Sequence, residues 1–445
     1  MPPIGAICSI GTSRRCGRIP LAKAIVMAAP CSGSGKTLVT LGLLRAFRNR
    51  GLRVASAKAG PDYIDPRFHE AATGRPCFNL DPWAMDRAVI AGLMAELSRD
   101  TDLVIIEGVM GLFDGPQGAK GSTADLAQSL GLPVLLVVDA RHQSQSIGAL
   151  VHGFSTYRPN LRVAGVILNR VASDRHEAIL RGALGEKIVG CLRHDDSLVL
   201  PSRHLGLVQA EENHDLEQFI ESASLAVARE TNLDTLLTIA SPVPDESVMP
   251  SALPPFGQRI AVARDRAFTF AYSHLLHHWR RQGAQVMPFS PLADEAPAAN
   301  ADAIFLPGGY PELHAGKLAA NHVFLKGIRE AKCLVYGECG GFMVLGDGLI
   351  DAKGKSHAMA GLLPLTTSFA KAKLHLGYRQ LAALGGTPWT KPLRGHEFHY
   401  STIASEGKAD RLFTAADASG TTLPPMGLRR GLVMGSYAHV ISEAP

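Results

Sequence analysis

The chain contains 445 residues, which is too long for one ordinary hydrophobic core and predicts roughly two to three domains. Its net charge of +5 is mild and only 6% of its residues are aromatic, which argues against a nucleic-acid-binding protein. Seven cysteines without a C-x-x-C pair argue against a disulfide framework or a zinc knuckle. The odd number of cysteines in a long chain instead favours a reducing cytoplasm. No apolar run reaches the ~18–20 residues that are needed to span a membrane.

Residues 1–21 carry arginines but no long apolar segment, so we interpret them as a loosely ordered extension rather than a signal peptide. From residue 23 onward, short apolar runs alternate with amphipathic stretches. Near-continuous Val/Ile/Leu runs are typical of parallel strands that helices cover on both faces. The pattern predicts strands at residues 24–28, 53–57, 103–106, 134–138 and 163–168, with helices at 38–48 and 86–97.

The first predicted strand runs into Ala-Pro-Cys-Ser-Gly-Ser-Gly-Lys-Thr, residues 29–37. A strand, a glycine turn and a helix in this order form a P-loop, although Pro30 replaces the usual first glycine. Backbone N–H groups of such a turn bind phosphate, a lysine neutralises it, and the hydroxyl after the lysine coordinates Mg²⁺. The residues predicted to bind ATP here are Gly33, Ser34, Gly35, Lys36 and Thr37.

A metal beside the P-loop needs carboxylate ligands, which we expect at the carboxyl ends of neighbouring strands. Glu107 ends the buried run at 103–106 and is the preferred ligand, together with Thr37 and Asp65. Asp114 and Asp139 are rivals, and Asp139 is expected to cap a turn. The run Lys-Ala-Gly-Pro-Asp-Tyr-Ile-Asp at 58–65 suits metal or substrate binding, with a solvated Pro-Asp turn as the alternative. The Asn169-Arg170 pair at a strand end could contact an adenine, with a plain turn residue as the alternative for Asn169.

Residues 241–257 are expected to be a linker, because five prolines fall between 241 and 255 without periodicity. A second alternating pattern follows, with strands predicted at 259–263, 284–288, 303–306 and 333–336. We therefore expect domains at 22–240 and 258–445.

The last of these strands leads into Gly-Glu-Cys-Gly-Gly, residues 337–341, ahead of an apolar helix. Small residues around Cys339 allow the sharp strand-to-helix turn that exposes a nucleophile, and a helix N-terminus favours a thiolate. The N–H groups of Gly340 and of Gly309, in the Leu-Pro-Gly-Gly turn at 306–309, are the predicted oxyanion hole. A thiol needs a base, and His439 after an apolar segment is preferred over His396 and His399, which we expect to shape the site without binding metal.

Together these motifs resemble the cobyrinic/hydrogenobyrinic acid a,c-diamide synthase family over nearly the whole chain. Pro30 is itself typical of that family. The motifs are residues 29–37, Gly-Pro-Asp-Tyr-Ile-Asp-Pro (60–66), Glu-Gly-Val-Met-Gly-Leu-Phe-Asp-Gly (107–115), Arg-His-Leu-Gly-Leu (203–207), residues 337–341, Gly-His-Glu-Phe-His-Tyr-Ser (395–401) and Gly-Ser-Tyr-Ala-His (435–439). The resemblance implies an α/β fold, in which a P-loop domain of the dethiobiotin-synthetase type precedes a class I glutamine amidotransferase-like domain.

The resemblance also implies a divided reaction with ATP, Mg²⁺, L-glutamine and a corrinoid polycarboxylate. Cys339 would release ammonia from glutamine with His439 as its base. ATP would activate the a- and c-carboxylates of the corrinoid, and ammonia would displace each phosphate. The family places substrate recognition in the loop spelled here Asp62, Tyr63 and Ile64. We leave open a homodimer and the choice between hydrogenobyrinic and cobyrinic acid.

Two departures and several alternatives accompany this interpretation. Ordinary triad amidotransferases carry Glu two residues after the histidine, but Ile441 stands there, so we expect a Cys–His dyad. The tail Val-Ile-Ser-Glu-Ala-Pro (440–445) also lacks the His-Phe expected from relatives. Nickel-sirohydrochlorin a,c-diamide synthase and cobyric acid synthase share the domain plan. A partitioning-type P-loop ATPase would leave the second half unexplained, and a thiol peptidase would not need the ATP site.

Overall fold

A computed structural model describes residues 22–118, 120–199, 202–203, 206–213, 215–244 and 253–445. We call residues 22–244 the first half and residues 253–445 the second half. The extension assigned to residues 1–21 lies outside the described residues, as do linker residues 245–252 and part of the motif at 203–207. In the described part of the chain, no helix combines the length and apolarity needed to cross a bilayer.

The first half alternates strands and helices from its first described residues. Its elements in chain order are β1 (Lys23–Ala28), α1 (Lys36–Asn49), β2 (Val54–Ala59), α2 (Asp65–Thr73), β3 (Phe78–Leu80), α3 (Arg87–Ser98), β4 (Leu103–Glu107), α4 (Thr123–Leu130), β5 (Val134–Asp139), α5 (Ile147–Thr156), β6 (Val163–Val171), α6 (Asp174–Leu184), β7 (Ile188–Arg193), β8 (Ser202–Arg203), β9 (Gly206–Leu207), α7 (Leu216–Glu230), α8 (Leu233–Ile239) and β10 (Ser241–Pro242).

One sheet in the order β3-β2-β4-β1-β5-β6-β7 forms the centre of the first half, and these strands are parallel. Its central strands are buried along nearly their whole length, as expected where helices cover both faces. The carboxyl ends of β1, β2 and β4 lie side by side, so the P-loop, the loop after β2 and Glu107 meet at one edge. β10 adds to β1 in the antiparallel direction, within the segment expected to be linker.

The second half begins in the same alternating manner and then becomes rich in antiparallel strands. Its elements are β11 (Arg259–Ala263), α9 (Ser273–Arg281), β12 (Gln285–Phe289), β13 (Ala303–Leu306), α10 (Ala315–Ala320), α11 (His322–Arg329), β14 (Leu334–Glu338), α12 (Gly340–Leu345), β15 (Gly348–Ile350), β16 (Ser356–Ala358), β17 (Leu365–Ser368), β18 (His375–Ala383), β19 (Leu393–His399), β20 (Thr402–Glu406), β21 (Asp410–Ala416), β22 (Thr422–Arg430), β23 (Val433–Ser436) and β24 (His439–Glu443).

Its main sheet has the order β12-β11-β13-β14-β23-β22-β21-β18-β19-β24. In this order, the strand pairs from β12 as far as β23 are parallel. All the pairs after β23, beginning with β23 and β22, are antiparallel. A smaller sheet, β16-β15-β17-β20, lies beyond α12. The sheet places the end of β14, which leads into Cys339, beside the end of β23, and His439 begins β24 shortly after.

The two halves contact each other through side chains that do not depend on the linker, along a surface that we call the seam. The Tyr272 hydroxyl donates to the Pro61 carbonyl at 3.1 Å, and the Tyr378 hydroxyl donates to Asp81 Oδ2 at 3.0 Å. The rings of Trp83 and Tyr378 lie 4.3 Å apart. The seam therefore fixes the loop after β2 against the start of α9, and the segment after β3 against β18.

Candidate active sites

The phosphate turn has the predicted order of strand, glycine turn and helix. Gly33 and Gly35 have φ angles of 79° and 93°, a left-handed conformation that glycine adopts without strain. α1 begins at Lys36, directly after the turn. A cavity of about 440 Å³ borders Gly33, Gly35, Lys36, Thr37 and Asn169, and it has the size of a nucleotide site.

Lys36 points along the turn and is largely buried. Its Nζ donates to the Met110 carbonyl at 2.7 Å. Burial, followed by the nearby ammonium of Lys58, lowers the pKa of Lys36. A phosphate at the turn would bind Lys36 more strongly than the Met110 carbonyl does, because a phosphate carries a negative charge that pairs with the ammonium.

The predicted metal ligands Thr37, Asp65 and Glu107 come together at the edge of the first sheet. The Thr37 hydroxyl donates to Glu107 Oε1 at 2.7 Å and to Asp65 Oδ2 at 3.4 Å. Lys58 Nζ donates to the same two oxygens, at 2.9 and 2.5 Å. One hydroxyl and two carboxylate oxygens at one point fit the ligand set that Mg²⁺ prefers, and the ammonium supplies a positive charge there.

The two carboxylates differ in their protonation. Burial, then repulsion from Asp62, raises the pKa of Asp65 to about 7 despite the attraction of Lys58. For Glu107, burial acts in the same direction, but Lys58 and the buried His69 together hold its pKa well below the usual range. His69 Nε2 lies 2.7 Å from Glu107 Oε2. Glu107 is thus the member of the pair whose charged form its neighbours favour.

The position of Lys58 shows that the predicted end of the second strand is wrong. The second strand was expected to end at residue 57 with Lys58 in a loop, whereas β2 continues to Ala59 and buries Lys58. A buried lysine is stable only when carboxylates surround it, and these come from Asp65 and from Glu107 on another strand. Sequence reasoning also missed His69, since its partner is 38 residues away.

The predicted substrate loop borders a second cavity of about 400 Å³ between the halves. Asp62, Tyr63, Ile64 and Asp65 line it on one side, and the other lining includes Tyr378, His396 and Phe398. Asp62 Oδ1 accepts from the backbone N–H groups of Ile64 and Asp65 at 2.8 and 3.2 Å. Asn79 Nδ2 donates to the Gly60 and Asp62 carbonyls, so the loop is held at both ends.

The thiol lies at a strained turn of the predicted kind. Cys339 has φ 46° and ψ −105°. Residues other than glycine rarely adopt this backbone conformation outside functional turns. β14 ends just before it and α12 begins at Gly340. A Cβ on Gly341 would lie 1.9 Å from the Leu306 carbonyl oxygen, so only glycine allows this close approach.

The two predicted oxyanion-hole glycines are neighbours. A Cβ on Gly340 would lie 3.0 Å from the backbone nitrogen of Gly309. A Cβ on Gly309 would in turn lie 2.0 Å from the Ala267 carbonyl oxygen. Both backbones therefore pack closely against their surroundings, and the oxyanion hole formed by their N–H groups stays a prediction.

Cys339 and His439 lie on either side of Gly308. A Cβ on Gly308 would be 3.3 Å from Cys339 Cβ and 3.0 Å from His439 Nε2. Burial, followed by Glu312, raises the pKa of the Cys339 thiol, and its Sγ donates to the Phe398 carbonyl at 3.9 Å. Burial lowers the pKa of His439 to about 3. At rest the site thus holds a protonated thiol and a neutral imidazole.

Of the rival histidines, His399 takes other partners, whereas Nδ1 of His396 makes no hydrogen bond to the described residues. His399 Nε2 lies 2.8 Å from Glu397 Oε1 and its Nδ1 lies 3.1 Å from the Ser401 carbonyl. Its ring stacks on Tyr437 with centroids 3.8 Å apart. His375, Glu397 and His399 lie close enough to hold a metal ion, but the nitrogens of His399 are already engaged. The predicted role of His396 and His399 in shaping the site stays a prediction.

The remaining candidates of the first half are placed as follows. Asn169 Nδ2 donates to the Ser34 carbonyl at 3.0 Å, so its amide holds the P-loop while it borders the nucleotide cavity. Arg170, the other member of the predicted adenine-contacting pair, donates to the Gly33 carbonyl and to Asp139 Oδ2. Asp114 Oδ2 accepts from the Gly111 N–H at 2.8 Å and thereby closes its own turn.

Comparison with known proteins identifies the family. Residues 25–208 match the model of the CobQ/CobB/MinD/ParA nucleotide binding domain, and residues 259–445 match that of the CobB/CobQ-like glutamine amidotransferase domain. A hydrogenobyrinate a,c-diamide synthase of Brucella anthropi is 57% identical, covering 94% of this chain and 98% of its own. One from Sinorhizobium sp is 53% identical, covering 94% and 99%. The chain belongs to the hydrogenobyrinate a,c-diamide synthase family.

Membership in the hydrogenobyrinate a,c-diamide synthase family agrees with the two sheets described above. A parallel sheet with a P-loop, followed by a sheet with a thiol turn, confirms the predicted fold class. The resemblance stated from the motifs is also confirmed. The exact domain boundaries and the roles of the individual residues stay predictions.

Proposed function

We propose that this chain uses ATP and glutamine to convert the a- and c-carboxylates of hydrogenobyrinic or cobyrinic acid into amides, in cobalamin biosynthesis. The supporting observation is that a phosphate turn with an acidic cluster and a strained thiol turn both border the loop of residues 60–65. The relatives that match 94% of the chain carry the name hydrogenobyrinate a,c-diamide synthase.

In the first half, ATP would lie along the P-loop with its phosphates on the backbone N–H groups and on Lys36. Thr37, Asp65 and Glu107 would hold Mg²⁺, whose charge would neutralise the phosphate oxygens. A substrate carboxylate would then attack the γ-phosphate, forming an acyl phosphate and ADP. This activation is needed because a carboxylate is too stabilised to accept ammonia, whereas phosphate is a good leaving group.

In the second half, Cys339 would attack the glutamine carboxamide. As the carbon–sulfur bond forms, the thiol proton moves to His439, and the N–H groups of Gly309 and Gly340 would stabilise the oxyanion. The proton then passes to the leaving nitrogen, and the carbon–nitrogen bond breaks to give ammonia and a glutamyl thioester. Water hydrolyses the thioester to glutamate and regenerates the thiol.

The cavity beside Asp62, Tyr63 and Ile64 suits the amide acceptor. One end lies at Asp65, next to the cluster that would bind the metal. The exposed side chains of Met110 and Leu376 border its mouth, and exposed apolar groups beside a cavity favour a flat apolar ring. A corrinoid combines such a ring with peripheral carboxylates that could reach the acidic end in turn.

A labelling experiment tests this function. The purified chain is incubated with MgATP, glutamine labelled with ¹⁵N in the amide, and either hydrogenobyrinic acid, cobyrinic acid or nickel-sirohydrochlorin. We expect a corrin product with label at the two positions a and c, together with ADP and glutamate, by mass spectrometry. Labelled nickel-sirohydrochlorin alone would favour that alternative, and ATP hydrolysis without any amide would favour a switch ATPase.

A further inference from the structure

Glu338, the residue before Cys339, has one carboxylate oxygen in hydrogen bonds, and its other oxygen faces the ring of His439. Glu338 is buried at the end of β14. Its Oε1 accepts hydrogen bonds from the Val440 N–H at 3.0 Å and from the Tyr336 hydroxyl at 3.1 Å. Its Oε2 lies 3.8 Å from His439 Nδ1. The carboxylate is therefore anchored by one oxygen, while the other faces the imidazole.

His439 lacks an acid at the usual position in the chain. Ile441 stands two residues later, where its backbone carbonyl accepts from His274 Nε2 at 3.1 Å. Neither ring nitrogen of His439 has a partner in full hydrogen-bonding geometry among the described residues, although the Phe270 backbone lies near enough to the ring to oppose the lowering of its pKa. A catalytic imidazole needs an acceptor at one nitrogen, so that the other nitrogen is bare and can take a proton.

We propose that Glu338 is the positioning residue for His439, so that the thiol turn itself supplies the third member of a Cys339–His439–Glu338 triad. The assignment rests on the proposed glutamine chemistry and extends the dyad expected from sequence. A shift of less than about 1 Å would bring Oε2 and Nδ1 from 3.8 Å to hydrogen-bonding distance.

In this arrangement the Nδ1–H of His439 donates to Glu338 Oε2 and leaves Nε2 unprotonated. Nε2 then accepts the proton of Cys339 as sulfur attacks the amide carbon. The imidazolium that forms lies against a carboxylate oxygen, which stabilises its charge. Glu338 takes no proton from the reactants, and the proton on Nε2 leaves with ammonia.

The surroundings make the charge of Glu338 responsive to pH. Burial raises its pKa to about 8, so the carboxylate ionises as the pH rises through that value. The titratable groups around the pair are Tyr272, Tyr336, Cys339, His396, Glu397 and His399. Ionised Glu338 would favour the imidazolium, and the reactivity of Cys339 should therefore increase across the same range.

Glu338→Gln isolates this role, because the amide oxygen can keep the bonds from Val440 and Tyr336 while the amide NH₂ replaces Oε2. An NH₂ group would donate to Nδ1 and place the proton on the wrong nitrogen. We expect glutamate release to fall by at least roughly 100-fold, short of the roughly 10⁴-fold loss known for an orienting acid in a serine triad. The rise in Cys339 alkylation by iodoacetamide near pH 8 should also disappear, as measured by peptide mass spectrometry.

Glu338→Asp is the companion variant and should recover part of the activity together with the pH-dependent rise. If Glu338→Gln released glutamate and reacted with iodoacetamide as the native chain does, the assignment would be wrong. Glu338 would then have only a structural role. Amidation with ammonia is measured in parallel. Its absence in the native chain would contradict the proposed function rather than the triad.

A separate observation concerns the wall between the cavity beside Cys339 and the acceptor cavity between the halves. A small cavity of about 20 Å³ lies beside Cys339, enough for one molecule the size of water or ammonia. Tyr63, Ile64 and Phe398 line both this cavity and the acceptor cavity. The Tyr63 hydroxyl and Cys339 Sγ donate to the same Phe398 carbonyl, at 3.3 and 3.9 Å.

We infer that ammonia crosses from the thiol to the acyl phosphate through this wall, at Phe398. The route rests on the proposed function and on the three residues that the two cavity linings share. Tyr63 also stacks on His439 with ring centroids 4.7 Å apart. Movement of the loop that carries Tyr63 would therefore open the wall and uncover the base together.

Phe398→Trp tests the route, with the ratio of amide formed to glutamate released as the readout. We expect this ratio to fall at least about fivefold, because a close-packed wall has no space for an added ring. Phe369→Trp is the matched control, since Phe369 lines the thiol cavity but not the acceptor cavity. An unchanged ratio in Phe398→Trp, or an equal fall in both variants, would contradict the route.

Discussion

Replacement of Cys339 by alanine is expected to abolish amidation with glutamine while amidation with ammonia continues. Glutamate release should fall by at least roughly 10⁴-fold, as in hydrolases that lose their nucleophile. Ammonia-dependent amidation should survive, because the P-loop and the acidic cluster belong to a different sheet. Both rates are measured in one preparation, with ammonium chloride replacing glutamine.

Cys333→Ala is the matched control for this substitution. Cys333 lies just before β14, and burial raises the pKa of its thiol, so it should be unreactive and dispensable. Equal loss of glutamine- and ammonia-dependent amidation in folded Cys339→Ala would contradict two separate sites. Retention of glutamine-dependent amidation would show that another group is the nucleophile.

Replacement of Lys36 by alanine should have the opposite pattern, with amidation lost for both nitrogen sources. The lysine is the charged group of the P-loop, and removing a cation that stabilises phosphoryl transfer costs on the order of 10³-fold or more. ADP formation in the presence of the corrinoid and ammonia measures the effect. Basal glutamate release should persist, since Cys339 does not depend on the P-loop for its attack.

Lys23→Ala provides a comparison on the strand that precedes the P-loop. Lys23 begins β1, at the end away from the turn, and its Nζ donates to the Leu237 carbonyl at 2.8 Å. The loss of this bond should change stability slightly and leave the rate of ADP formation near that of the native chain. If Lys36→Ala retained amidation, the assignment of the phosphate site would be wrong.

The local parts of both sites could be predicted from sequence because contiguous residues build them. The P-loop occupies residues 29–37, and the thiol turn occupies residues 337–341. In each segment the glycines indicate where the backbone turns sharply or approaches another part of the chain closely. The parallel strands were also recognisable, since their apolar runs are continuous. Such features depend on periodicity and turn chemistry, which a single sequence contains.

Contacts between distant residues could not be predicted in this way. Lys58 looked like a loop residue because its partner Glu107 is on another strand. Glu338 and His439 are 101 residues apart in number, and only the pairing of β14 with β23 brings them together. The antiparallel strands from β18 to β22 were missed as well, since exposed and polar positions weaken their alternation.

The seam has a consequence for how the two halves could be inherited. Tyr272 and Tyr378 join the halves through contacts that do not involve the peptide chain between residues 244 and 253. The covalent connection therefore contributes mainly a high local concentration of one half near the other. Two genes, one for each half, could encode subunits that assemble along the same surface, and fusion into one gene would chiefly guarantee equal amounts of both.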